Sequence, residues 1–122
     1  MLDIEMVRAP LFALVRATGT LHTADEVDTF TTAIEFVPKD DDLVLDLSGL
    51  SSMSAECVPD LCALLLDRVI WAETVVVSPD PDVTVQLMIG EVDHAVPVLA
   101  TLMHATDLIR ARHGVHTVEV GI

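Results

Sequence analysis

The 122-residue chain contains no tyrosine, a single tryptophan and three phenylalanines. Its interior must therefore be built by interdigitating Leu, Val, Ile, Met and Ala rather than by stacking rings. Positive charge is equally scarce: Lys39 and five arginines face twenty acidic residues, for a formal net charge of −14. Such a surface opposes nucleic-acid phosphates and anionic membranes, so no nucleic-acid partner and no membrane insertion are expected. Cysteine is limited to Cys57 and Cys62, a C-x4-C spacing that suits neither a zinc site nor a disulfide framework and reads as two small core residues. The start of the chain has no basic segment leading into an apolar stretch, and the apolar runs are cut by Asp67-Arg68 or by prolines. A cytoplasmic, soluble protein is expected. There is no internal repeat, low-complexity tract or linker, and residues 1–122 read as one domain.

What is present is a 52% hydrophobic sequence with strongly patterned segments. Leu2, Ile4 and Met6 alternate with Asp3 and Glu5, the period of a half-exposed strand, and Ala9-Pro10 separates this from a second extended stretch over 11–18. Thr23-Ala24-Asp25-Glu26 reads as a capping box, followed by Val27, Phe30 and Ile34 at helical spacing and by Pro38 as a stop. Leu43-Val44-Leu45-Asp46-Leu47 has the composition of a strand covered on both faces. Beyond it lies the serine-rich stretch Ser51-Ser52-Met53-Ser54, and then Val58, Leu61, Cys62, Leu65 and Val69 along one helical stripe. Pro59 is costly inside a regular helix, so that helix is expected to begin no earlier than about Glu56, with a long loop before it over 51–58. A strand over 74–78 precedes Asp80-Pro81, a cap followed by proline at the first helical position. Val83, Val85 and Leu87 alternate, which leaves helix or strand open from periodicity alone. A brief strand over 95–98 and a helix with Leu99, Leu102, Met103, Thr106 and Ile109 on one face follow, and Gly114 ends it. Residues 115–122 have strand-forming composition, for an extra strand or a tail. The order β-β-α-β-α-β-α-β-α builds a mainly parallel sheet with right-handed crossovers.

The segment Asp46-Leu47-Ser48-Gly49-Leu50 resembles the D-L-S-x-V signature of STAS domains, the sulphate-transporter and anti-sigma-factor-antagonist family. Leu14 to Leu21, Val75-Val76-Val77-Ser78-Pro79 and Leu87-Met88-Ile89-Gly90 resemble further family segments in the same order, over roughly residues 2–113. The resemblance implies an α/β STAS-type fold: a mainly parallel central sheet, an N-terminal hairpin and about four helices, with the alternating segment near 83–87 helical. It also implies docking onto a protein partner, an anti-sigma factor of the ATP-binding kinase type, through Ser51, Ser52, Met53, Ser54, Ala55, Glu56, Cys57 and Asp60. The family's Asp-Ser-x-Gly falls on Ser54, Ala55, Glu56 and Cys57, so the phosphoacceptor position is Ala55. A switch is thereby replaced by a constitutive binder or scaffold, with Ser54 the weaker alternative acceptor and better read as a helix cap. A homodimer is compatible with the resemblance, as is a regulatory subunit of a lipid-transport ABC system.

Other chemistries lack their parts in the sequence. A phospho-accepting receiver built around Asp46 needs an acidic magnesium cluster and a lysine after a later strand, and Lys39 lies upstream. Nucleophilic catalysis by Ser51, Ser52, Ser54 or Cys57 has no elbow motif and no sequence pattern that supplies a base. His22, His94 and His104 are scattered, and His113 and His116 form too small a set for a metal site. No enzyme activity, cofactor or metal is expected.

Overall fold

A computed structural model describes residues 2–114; the segment 115–122, expected as a strand or tail, lies outside them. Strands β1 (Leu2–Arg8) and β2 (Ala13–Leu21) form the N-terminal hairpin, and helix α1 (Ala24–Glu35) follows. The chain continues through β3 (Leu43–Met53), a 3₁₀ turn (Ala55–Cys57), α2 (Val58–Val69), β4 (Thr74–Val77), α3 (Pro81–Ile89), α4 (Val92–Ala95), β5 (Val98–Leu99) and α5 (Leu102–Arg112). β1 is antiparallel to β2, while β2 through β5 are parallel. Their spatial order is their chain order.

That order decides where the helices go. Right-handed crossovers that always step to the next strand in the same direction must all lie on the same face of the sheet. α1 to α4 accordingly share one core, with Phe30, Ile34, Leu61, Leu65, Val83, Leu87 and Val92 packed on Val15, Ala17, Leu43, Leu45 and Leu47. α5, which follows the last strand, crosses to the other face, where Ala105 and Ile109 cover Leu14, Val44, Val75 and Val77.

Local signals set most boundaries. Thr23 Oγ1 accepts from the Glu26 amide and Glu26 reaches back to the Thr23 amide, the reciprocal capping box. Asp80 caps α3 by accepting from the amides of Asp82 and Val83, with Pro81 behind it, so the alternating segment is helical. Pro59 sits in the first turn of α2, which begins at Val58 after the 3₁₀ turn.

Three expectations are corrected. The short helix α4 adds a fifth helix, and the strand placed at 95–98 is the two-residue β5 after it. On α5 the inward residues are Ala105 and Ile109, whereas Met103 is exposed and Leu99 belongs to β5. The largest difference is β3, which runs 11 residues instead of ending at Leu47.

Arg68 is the one cation inside the fold among the described residues. From the last turn of α2 it donates through Nη1 to the Val37 carbonyl at 2.9 Å and through Nη2 to those of Pro38 and Asp41 at 3.0 and 3.2 Å. It thereby supplies donors for the segment joining α1 to β3, whose carbonyls face inward. Burial pulls its pKa down, with Asp41 and Asp67 opposing.

Candidate functional site

The serine-rich stretch lies at the end of β3 because that strand is bulged twice. Arg16 pairs with Asp46 but Thr18 pairs with Gly49, and Gly19 pairs with Leu50 but Thr20 with Ser52. Each step gives β3 one more residue than β2, the definition of a bulge. The inward residues become Leu47, Leu50 and Met53, spaced by three, while Ser48, Gly49 and Ser51 stay exposed. Gly49 is required at the first bulge: a Cβ there would meet Thr18 Cγ2 at 2.4 Å and the Ala17 carbonyl at 3.1 Å.

The bulged end is tied to β2 side chain by side chain. Ser51 Oγ donates to the Gly19 carbonyl at 3.0 Å, and Ser52 Oγ lies 2.6 Å from His22 Nε2. The Leu21 carbonyl accepts from the Ser54 amide at 2.9 Å and from Cys57 Sγ at 3.4 Å. Ser54 Oγ in turn accepts from the Glu56 amide at 3.3 Å, so this hydroxyl is occupied as the cap of the 3₁₀ turn.

The candidate residues therefore divide. Ser51, Ala55, Glu56 and Asp60 are exposed, and Ser52 and Ser54 are half-buried. Met53, which the resemblance put on the docking surface, is instead a core residue, and Cys57 is the small core residue its spacing suggested rather than the docking residue the resemblance implied; both hold the surface from beneath. Burial pushes the Cys57 thiol up, and Glu26, Glu56 and Asp60 push it further, which keeps it protonated and unreactive at neutral pH.

Two neighbours went unread in the sequence. His22 stands beside Ser52, so a base does lie next to one of the serines. Glu26 accepts from the His22 amide at 2.9 Å, and that amide, against the opposing effect of burial and with help from the Thr23 amide, holds its carboxyl below the ordinary value. The signal was a parallel β2–β3 pair, which sets the two strand ends side by side, but the register was hidden by the bulges.

Asp46 plays a structural part. It is buried, its Oδ2 accepts from Arg16 Nε at 3.0 Å and its Oδ1 from the Ser48 amide at 2.9 Å. Burial alone would raise its pKa, but the bonds from Ser48 and the Arg16 guanidinium outweigh this and leave it lowered. Both carboxylate oxygens are engaged within the sheet, and the turn they fix leads into the first bulge.

Among the described residues no group of acidic, histidine or cysteine side chains could hold a metal ion, and no helix is long and apolar enough to cross a membrane. Among the described residues the strand order also has no point of reversal, the place where open parallel sheets form a ligand crevice. What the strand ends present is a set of exposed and half-buried polar side chains around Ala55.

No family model and no curated protein matches the chain. Solved structures do. An anti-sigma factor antagonist from Mycobacterium paratuberculosis is 19% identical with a TM-score of 0.77, over 90% of this chain and 95% of that one. The anti-sigma factor antagonist SpoIIAA in its unphosphorylated form is 17% identical with a TM-score of 0.64, over 89% of this chain and 97% of that one. The Bacillus cell fate determinant SpoIIAA in its phosphorylated form is 18% identical with a TM-score of 0.59, over 90% of this chain and all of that one. With its antiparallel opening hairpin, its bulged third strand and its helices on both faces, the chain has the STAS fold of the anti-sigma-factor antagonists.

Proposed function

We propose that the protein is a non-catalytic regulatory domain of the cytoplasm that docks onto a protein partner through Ser51, Ser52, Ser54, Ala55, Glu56 and Asp60. A kinase-type anti-sigma factor is the partner class that the fold relatives suggest. The observation that carries this reading is the position of Ala55, whose methyl is exposed at the first residue of the 3₁₀ turn, where the family signature places its phosphoacceptor. No hydroxyl exists there to be modified, and the nearest one, on Ser54, is engaged with the Glu56 amide. The binding is therefore constitutive: a phosphate, which elsewhere would add nearly two charges to a packed contact, has no attachment point at the signature position.

The test is calorimetry against ATP-binding anti-sigma kinases encoded in the same genome, with intact mass recorded after incubation with ATP. Binding with an unchanged mass is expected. Ala55→Glu should weaken it by about 1.4 kcal/mol or more, roughly tenfold, because a carboxylate would be desolvated beside Glu56 and Asp60 without a prepared cation. Stoichiometric phosphate on Ser54, or binding indifferent to Ala55→Glu, would overturn the reading.

A further inference from the structure

α3 is apolar on both sides. Val83 and Leu87 are buried in the core, yet Val85, Met88 and Ile89 are 49%, 56% and 70% exposed. These three stand at i, i+3 and i+4 and so form one outward face. A helix that is hydrophobic all round is ordinarily buried all round. Here the outer half has no cover within the described residues.

The helix that carries this face meets the docking segment proposed above at its C-terminal end. α3 ends at Gly90, and a Cβ there would lie 2.1 Å from Val58 Cγ1, so the end of α3 is pressed against the first residue of α2. The 3₁₀ turn bearing Ala55 and Glu56 immediately precedes that residue. The surrounding charge has a single sign. Asp82 and Asp93 lie in the first turns of α3 and α4, Glu91 lies between the two helices, and Glu56 and Asp60 flank Val58; all five are exposed. From residue 40 through 109 the only Lys or Arg is Arg68, which is buried in the last turn of α2 with its guanidinium on the α1–β3 segment. Arg8, Lys39 and Arg112 pair with Asp41, Asp67 and Glu73, at the end of the sheet where β3 and β4 begin, and Arg16 pairs with Asp46 and Glu5 within the sheet. Among the described residues no Lys or Arg lies on the 3₁₀ turn, on α3 or on α4.

We infer that Val85, Met88 and Ile89 form the apolar centre of an interface whose occupant is a protein surface with its own apolar centre ringed by Lys and Arg. Apolar cores with charged rims are the ordinary anatomy of protein interfaces, and an acidic rim selects a basic partner and repels acidic ones. The inference rests on the proposed docking function for the partner's identity, but not for its chemistry.

The test has two arms. In the first, a helical Lys–Leu peptide is titrated into the isotope-labelled protein, with a Glu–Leu peptide of the same apolar pattern as the counterpart. Saturable shifts centred on Val85, Met88 and Ile89 are expected for the Lys–Leu peptide, with Kd weakened roughly tenfold in Met88→Ser/Ile89→Ser, as for truncated interface anchors. Glu56→Gln/Asp93→Asn should weaken it less and reduce its salt dependence. Equal binding of the Glu–Leu peptide, no binding of the Lys–Leu peptide, or shifts centred on the separate exposed pair Ile70 and Trp71 would overturn the inference. In the second arm the same variants and Ala55→Glu are measured against a binding kinase, with folding checked by circular dichroism. Loss with Ala55→Glu but not with Met88→Ser/Ile89→Ser sinks the α3 face and spares the proposed function. If no kinase binds, that function's partner falls and the peptide arm decides the α3 face alone.

Discussion

Replacing Arg68 with methionine keeps most of the aliphatic volume in the last turn of α2 and removes every donor. Three carbonyls then lose a charged partner: Val37 in a buried position, and Pro38 and Asp41 in partly buried ones. A hydrogen bond to a charged group contributes roughly 1.5–3 kcal/mol net, and an acceptor stranded in the interior costs on the order of 1–3 kcal/mol. The Val37 bond counts nearly in full, whereas water can reach the other two and recover about half of each, so the gross loss is about 4 kcal/mol. Against it stands the relief of no longer burying a guanidinium without a directly bonded carboxylate, which returns on the order of 1–2 kcal/mol. The net expectation is a loss of about 2–3 kcal/mol, equivalent to a fall in Tm of roughly 10 °C for a domain of this length. Arg68→Lys should lose nearly as much, because one ammonium cannot span three carbonyls that a planar fork reaches together. Urea unfolding followed by far-UV circular dichroism is the suitable assay, since the exposed Trp71 is a weak reporter of core packing. A methionine variant as stable as the parent to within about 0.5 kcal/mol would refute the reasoning, because Arg68 would then be a net-neutral buried charge.

Asp46 supplies a pH test. Its folded pKa is lowered, so its contribution to stability is present above its ordinary value of 3.8 and is lost as pH falls through the lower folded value. Urea midpoints measured from pH 6 downward should fall more gently near and below pH 4 in Asp46→Asn than in the parent, and parallel curves would refute the assignment. For the thiols, a neutral-pH titration with a disulfide reagent should label Cys57 only upon unfolding, whereas the half-buried Cys62 reacts first; rapid labelling of both in the native protein would contradict the burial of Cys57. Gly90→Ala, which forces a methyl into Val58, should cost about 1–3 kcal/mol as an overpacked contact, and an unchanged urea midpoint would show that α2 and α3 can separate freely.

The parts of the fold that could be read in the sequence are those fixed by residues close together along it. Thr23 with Glu26, and Asp80 with Pro81, satisfy helix amides a few positions away, so the helices they start were legible. Pro59 likewise placed the start of α2. β3 was not legible past Leu47, because its inward positions change from a spacing of two to a spacing of three at bulges that exist only in the pairing with β2. That misreading turned half a strand into a loop and put Met53 on the surface. α4 is four residues long and entered through Glu91 in a left-handed conformation with no side-chain cap, so it carries no pattern to detect. The ambiguity of Val83, Val85 and Leu87 had a physical origin as well: an apolar outer face blurs the helical period. Arg68 read as an interruption of an apolar run, since the carbonyls that draw it inward lie about thirty residues away.

The sequential strand order bears on how the chain assembles. Every strand after the first pairs with the strand made immediately before it, across a connection of hairpin or single-crossover length. Loop-closure costs stay modest when contacts are formed in this way, and topologies rich in near-neighbour pairing fold faster than those that wait for distant partners. A chain emerging from the ribosome can therefore lay down its sheet in one direction, each new edge serving as the template for the next segment. Until α5 is made, the face bearing Leu14, Val44, Val75 and Val77 has no cover from that helix. A nascent chain halted before residue 102 would thus expose an aliphatic sheet surface, and that stage of synthesis is where chaperone protection would matter most.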